Sequence, residues 1–168
     1  MLASFLMGLA GGQRAMTPLA ATAIAASVGR LPPDNRAARV LSHPAVAAGA
    51  LALAMAEMAG DKMKTAPDRV APAGLAARFT TSAIAGAALA PSGRRWSGAA
   101  LGGVTAAAAS YPGWRGRLKA MEHRGQTSTG FVEDALVLIG AAAVILILGS
   151  GGDARASTAP RARLPLRP

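Results

Sequence analysis

Long apolar stretches are separated along this chain by short segments rich in Arg, Pro and Gly. The most apolar is the run from Phe131 to Ser150, whose only charges are Glu133 and Asp134 near its start. A helix of about 20 apolar residues, rising ~1.5 Å per residue, covers a hydrocarbon core of roughly 30 Å, so this run is predicted to cross a bilayer. Further spans are predicted at about 2–28, 44–60, 78–90 and 97–112. They are Ala- and Gly-rich, hence weakly hydrophobic singly, and neighbouring helices must hold them through close contact between small side chains. The predicted fold is all-α: a polytopic membrane helix bundle of four to six spans over residues 1–150, followed by a disordered Arg/Pro-rich tail at 151–168.

Two spans carry extra information. The first is interrupted by Gly11-Gly12-Gln13-Arg14, after which Thr17 supplies an N-cap residue and Pro18 a first helical position. This predicts a broken helix. Its first piece, Leu2 to Ala10, is too short to cross, so it either continues into the second piece or enters and returns. The fourth span is bracketed by Trp96 and by Tyr111 and Trp114, as interfacial belts would place them. Within it Gly98, Gly102, Ala106 and Ser110 recur every four residues, a stripe suited to close helix packing. The segments 29–43 and 61–77 are rich in Pro and charge: the first reads as a loop with one short surface helix, the second as a loop or a re-entrant segment.

Composition narrows the function classes. Apolar residues make up 52% of the chain, with a mean hydropathy of +0.34. The net charge of +10 reads as interfacial anchoring and contact with anionic lipid rather than nucleic acid binding, because the basic residues lie between the apolar runs and aromatics are scarce. Their near-even distribution between loops does not fix an orientation. The absence of cysteine excludes disulfides, thiolate chemistry and Cys-ligated zinc. His43 and His123 fall in predicted loops, no nucleophile–base pair is visible, and no cofactor motif is present, so no enzymatic activity is expected. The start of the chain lacks the basic segment of a cleaved signal peptide.

Ionisable groups at membrane depth cost about 2.5–3.5 kcal/mol each at a helix centre and therefore mark candidate sites. Arg14 lies in the Gly-Gly break beside a helix start, where unpaired N–H groups favour an anion. Glu57 and Asp61, four residues apart, share a helix face and can bind a cation or share a proton, with Lys62 adjacent. A structural Arg14–Glu57 ion pair is the competing reading. Glu133 and Asp134 open the last span, where carboxylates also complement the helix dipole. Arg78 reads as an interfacial side chain. Arg14-Ala-Met-Thr17 and Arg78-Phe-Thr-Thr81 each precede an Ala-rich helix, which would suit two inverted repeats.

These motifs carry a resemblance. Gly12-Gln-Arg-Ala-Met-Thr-Pro18, Ala56-Glu-Met-Ala-Gly-Asp-Lys62 with Pro67-Asp-Arg69, and Glu133-Asp134 resemble a family of small bacterial membrane proteins known as domain of unknown function 4126. The resemblance covers most of residues 1–150 and implies a multi-pass protein of the bacterial inner membrane without an assigned substrate. The stretch Glu57-x-x-Gly60-Asp61-Lys62 is also similar to the Glu-x-Gly-Asp-Lys/Arg signature of a cation/proton exchanger superfamily, with one extra residue before the glycine and no second copy. The expectation is a transporter or channel-like protein acting on a small solute or ion, with Arg14, Thr17, Glu57, Asp61, Lys62, Glu133 and Asp134 at its polar site. The alternative is a non-transporting scaffold that binds a partner helix or a second copy of itself through the glycine stripe.

Overall fold

Helix boundaries follow the breakers in the sequence. The computed structural model describes residues 1–61, 71–91 and 93–148, with only the backbone at 126 and 148. Among these residues there are seven helices and no strand: α1 (Leu2–Gln13), α2 (Met16–Ser27), α3 (Arg36–Leu41), α4 (Pro44–Gly60), α5 (Pro72–Leu89), α6 (Arg95–Arg124) and α7 (Gln126–Leu148). Prolines stand in the first turns of α4 and α5, where a missing N–H costs nothing. Gly29, Gly93 and Gly125 take positive φ at the turns after α2, before α6 and between α6 and α7.

Side-chain bonds fix the direction of each helix. Ser4 Oγ donates to Gly86 O at 2.9 Å, while Thr81 Oγ1 donates to Ala15 O at 2.8 Å, so α1 descends antiparallel to α5. Asn35, beyond the end of α2, donates to the carbonyls of Ala87, Ala88 and Ala90 at the far end of α5. The chain therefore turns back at Arg14, and α1 and α2 form a helical hairpin. Of the two readings open for the first stretch, one continuous helix is excluded: the chain reverses at Arg14. α2 and α5 consequently run side by side in the same direction. The segments beginning at Arg14 and Arg78 are thus parallel, not inverted as the repeat reading expected.

Backbones meet closely where α6 crosses α5 and α1. A Cβ on Gly98 would fall 2.5 Å from Gly86 O, one on Gly102 would fall 2.4 Å from Ser82 O, and one on Gly8 would fall 2.7 Å from Gly102 O. Gly98, Gly102, Ala106 and Ser110 are all buried along this seam. Small residues permit that approach, and the gain is dispersion along the whole crossing rather than burial of large side chains.

Four boundaries differ from the sequence expectation. α1 runs through Gly11 and Gly12 to Gln13, so the break falls at Arg14 and not at the glycines. α6 passes through Pro112 and continues to Arg124, so the region read as a loop at 113–130 is largely helical and His123 lies in a last helical turn. Proline removes one N–H and frees the carbonyl four residues earlier, here Ala108. Nearby, Gln13 Nε2 donates to Ala109 O at 3.3 Å. α5 begins at Pro72 instead of 78, which places Arg78 inside a helix and buries it, not at an interface. α7 begins five residues before Phe131, and its stretch Thr127–Ile147 is the one described helix long and apolar enough to cross a membrane. Met16–Ser27 and Pro44–Gly60 are shorter apolar helices.

Candidate functional site

The hairpin tip is where backbone and charge converge. Arg14 is extended, with φ −138° and ψ 118°, between the last carbonyls of α1 and the first N–H groups of α2. Those N–H groups need an acceptor. Ala15, not Thr17, occupies the N-cap position, and no side chain of its own segment caps the helix. The acceptor comes from α4: Glu57 Oε1 and Oε2 each accept one bond, from Ala15 N and Met16 N, both 2.8 Å long. A carboxylate there also complements the positive end of the α2 dipole.

Arg14 consequently does not pair with Glu57 as the structural reading supposed. Its side chain is 1% exposed and points to two other carboxylates, with Nη1 on Asp61 Oδ2 and Nη2 against Asp134 Oδ1. Asp61 Oδ2 is shared with Arg117 Nη1 at 3.0 Å, and the same Nη1 lies 2.9 Å from Glu133 Oε2. Arg117 Nη2 adds a bond to Asp61 O at 3.3 Å. Two guanidinium groups thus link the end of α4, the last third of α6 and the third turn of α7 to the hairpin tip. Thr17 is buried in the first turn of α2, with its hydroxyl accepting and donating no hydrogen bond. Lys62 lies outside the described residues.

Arg117 was absent from the sequence-based candidates because its surroundings, Gly113 to Gly130, are polar and follow a proline. One signal was present. Gly113, Gly116 and Ala120 recur at helical spacing and line the same side of α6 as Arg117. Asn35 was missed too: it is buried, caps α3 through Ala37 N and Ala38 N, and closes the end of α5. The string Pro-Pro-Asp-Asn before Arg36 was its sequence signal.

Two clefts flank α7. One, of about 570 Å³, runs between α1, α6 and α7 and is apolar except at the end holding Gln13, Arg117, Arg124, Thr129 and Glu133. The other, of about 540 Å³, lies between α2, α4 and α7 and reaches from Thr17 to Arg30. No group of three or more metal-ligating His, Cys, Asp or Glu side chains occurs among the described residues. Comparison with protein-family models, curated proteins and solved structures found no match.

The site joins three carboxylates and two guanidinium groups in one charge network. Glu57 is committed to backbone N–H groups. Asp61 and Glu133 instead share Arg117.

Proposed function

We propose that this chain is a small multi-pass membrane protein of the bacterial inner membrane, of transporter or channel-like type, related to domain of unknown function 4126 through the motifs named above. Four helices, α4 to α7, cross the bilayer; the α1–α2 hairpin enters and leaves by one face. The distribution of side chains supports the membrane setting. Among the largest fully buried side chains are Arg14, Thr17, Thr22, Ser4, Ser82 and Ser110, while Leu2, Leu53, Leu136, Ile139 and Ile147 are exposed. Water would favour the opposite arrangement, whereas lipid solvates the outer leucines and leaves small and polar groups to pack inside.

The observation that carries the transport reading is the placement of a half-helix start, Ala15–Met16, on a cluster of carboxylates and arginines within the bundle. Irregular backbone at membrane depth is tolerated where it is buried in protein or lines a cavity, and paired half-helices are a recurring way to build ion sites. Arg117 acts as the internal competitor: displacement of its guanidinium from Asp61 or Glu133 by a cation or proton opens the network, and its return closes it.

Cysteine labelling tests the topology, since the native chain has no cysteine. Substitutions at Gly29 and Gly93 should react with an impermeant reagent from one side and Glu122→Cys from the other, and a Cys added before Met1 should react with the Gly29 side. Cation or proton flux into liposomes containing the purified protein tests transport. Arg117→Gln should alter that flux, and its absence in wild type and variant alike favours the scaffold. That second reading draws on Arg14, which is 1% exposed and held by two carboxylates as a structural brace would be.

A further inference from the structure

The cleft between α1, α6 and α7 is built asymmetrically. Its walls are aliphatic, with Leu6, Leu9, Leu136 and Val144 along its length. From Thr129 to Val144, fifteen steps along α7 rise about 22 Å, which exceeds one leaflet of a roughly 30 Å hydrocarbon core. At one end the character changes. The start of α7 leaves backbone N–H groups without intrahelical partners and carries the positive end of the helix dipole. Thr129, 8% exposed, lines this end, and its hydroxyl has no hydrogen-bond partner. Arg124 lies at the same end, its side chain exposed. Glu133 is there too, turned to Arg117 at 2.9 Å, a guanidinium it shares with Asp61.

We propose that this cleft holds one anionic phospholipid of the surrounding bilayer, its phosphate against Arg124, Thr129 and the first turn of α7 and one acyl chain along Leu9, Leu136 and Val144. The proposal rests on the membrane reading above. Charge complementarity selects the occupant: an apolar trough ending in an arginine, an unsatisfied hydroxyl and a helix start fits a chain that carries a negative headgroup. A partner helix would fill the trough without answering the polar end.

Two glycines permit a clean test. Gly116 and Gly140 line the cleft, and a Cβ on either would meet nothing within 4 Å, so leucine there fills the trough without a clash at its first carbon. Gly49, exposed on α4 and equally unobstructed, serves as the control position. Detergent-purified protein is mixed with phosphatidylglycerol or phosphatidylcholine and the lipid retained is counted by native mass spectrometry. Wild type and Gly49→Leu should retain one phosphatidylglycerol in preference to phosphatidylcholine. Gly140→Leu should lose that molecule, and Arg124→Gln should lower the preference about tenfold. Equal retention of both lipids, retention unaffected by Gly140→Leu, or a dimer that replaces lipid in wild type would each overturn the proposal. Recovery of the protein from cells without detergent would overturn the membrane reading itself, a separate result.

Discussion

Glu57 on α4 and Ala15 at the head of α2 are joined by a 2.8 Å hydrogen bond from backbone N–H to carboxylate, and the second oxygen of Glu57 takes the next N–H, from Met16. One side chain therefore closes a helix that its own sequence leaves uncapped. Replacing Glu57 by Ala should cost at least the 0.5–2 kcal/mol of an ordinary cap, and more because both N–H groups are lost to a buried setting. Gln keeps only one good acceptor and should fall between. Thermal unfolding in detergent checks the order wild type, Gln, Ala; equal midpoints would remove Glu57 from the role of cap.

Arg14 should couple to Asp134 and not to Glu57. Arg14→Met alone takes a guanidinium from Asp134 and from Asp61, which keeps Arg117, a loss of up to about 3–5 kcal/mol for a broken buried pair. Adding Asp134→Asn should recover part of the folded yield, whereas adding Glu57→Gln should lower it further. A double-mutant cycle read by melting temperature separates these outcomes, and rescue by Glu57→Gln would reinstate the direct pair.

These two predictions mark where sequence reading stopped. That the first stretch is two helices, and that Arg14, Glu57 and Asp61 carry charge into apolar sequence, was legible, because a proline and isolated charges are local signals; the break itself falls at Arg14, two residues past the glycines, which stay inside α1. Which charge meets which was not. Glu57 sits one turn above Asp61, and only the path of the hairpin decides that the upper carboxylate reaches the backbone and the lower one the guanidinium. Arg117 was hidden for a different reason: Pro112 is a helix breaker by local chemistry, yet packing against α5 and α1 carries α6 through it.

Gly102→Leu should abolish folded protein in mild detergent, since even its Cβ would lie 2.4 Å from Ser82 O. Val104, two residues away and 59% exposed, should accept Leu with little change. Size-exclusion yield of the two variants checks this, and equal yields would mean that the α5–α6 crossing is looser than described.

Asn35→Leu should destabilise the protein despite adding apolar bulk. Its amide serves five backbone groups: the carbonyls of Ala87, Ala88 and Ala90, and the N–H groups of Ala37 and Ala38. Losing them at a buried position should cost about 2 kcal/mol or more. Asn35→Asp tests the donor half alone, because Asp retains the α3 cap and loses the bonds to α5. A melting temperature for Asp equal to that of wild type would assign the whole effect to the cap.

The seam of α6 against α5 and α1 also constrains how this protein can change over generations. An ordinary core can trade volume between neighbours, one side chain shrinking as another grows. Gly86, Gly98 and Gly102 have no side-chain atoms to give up and face backbone, which cannot retreat without moving a helix. Variation there runs in one direction, toward crowding. Compensation must come from shifts of whole helices, so drift should accumulate on the outward leucines while the seam stays fixed.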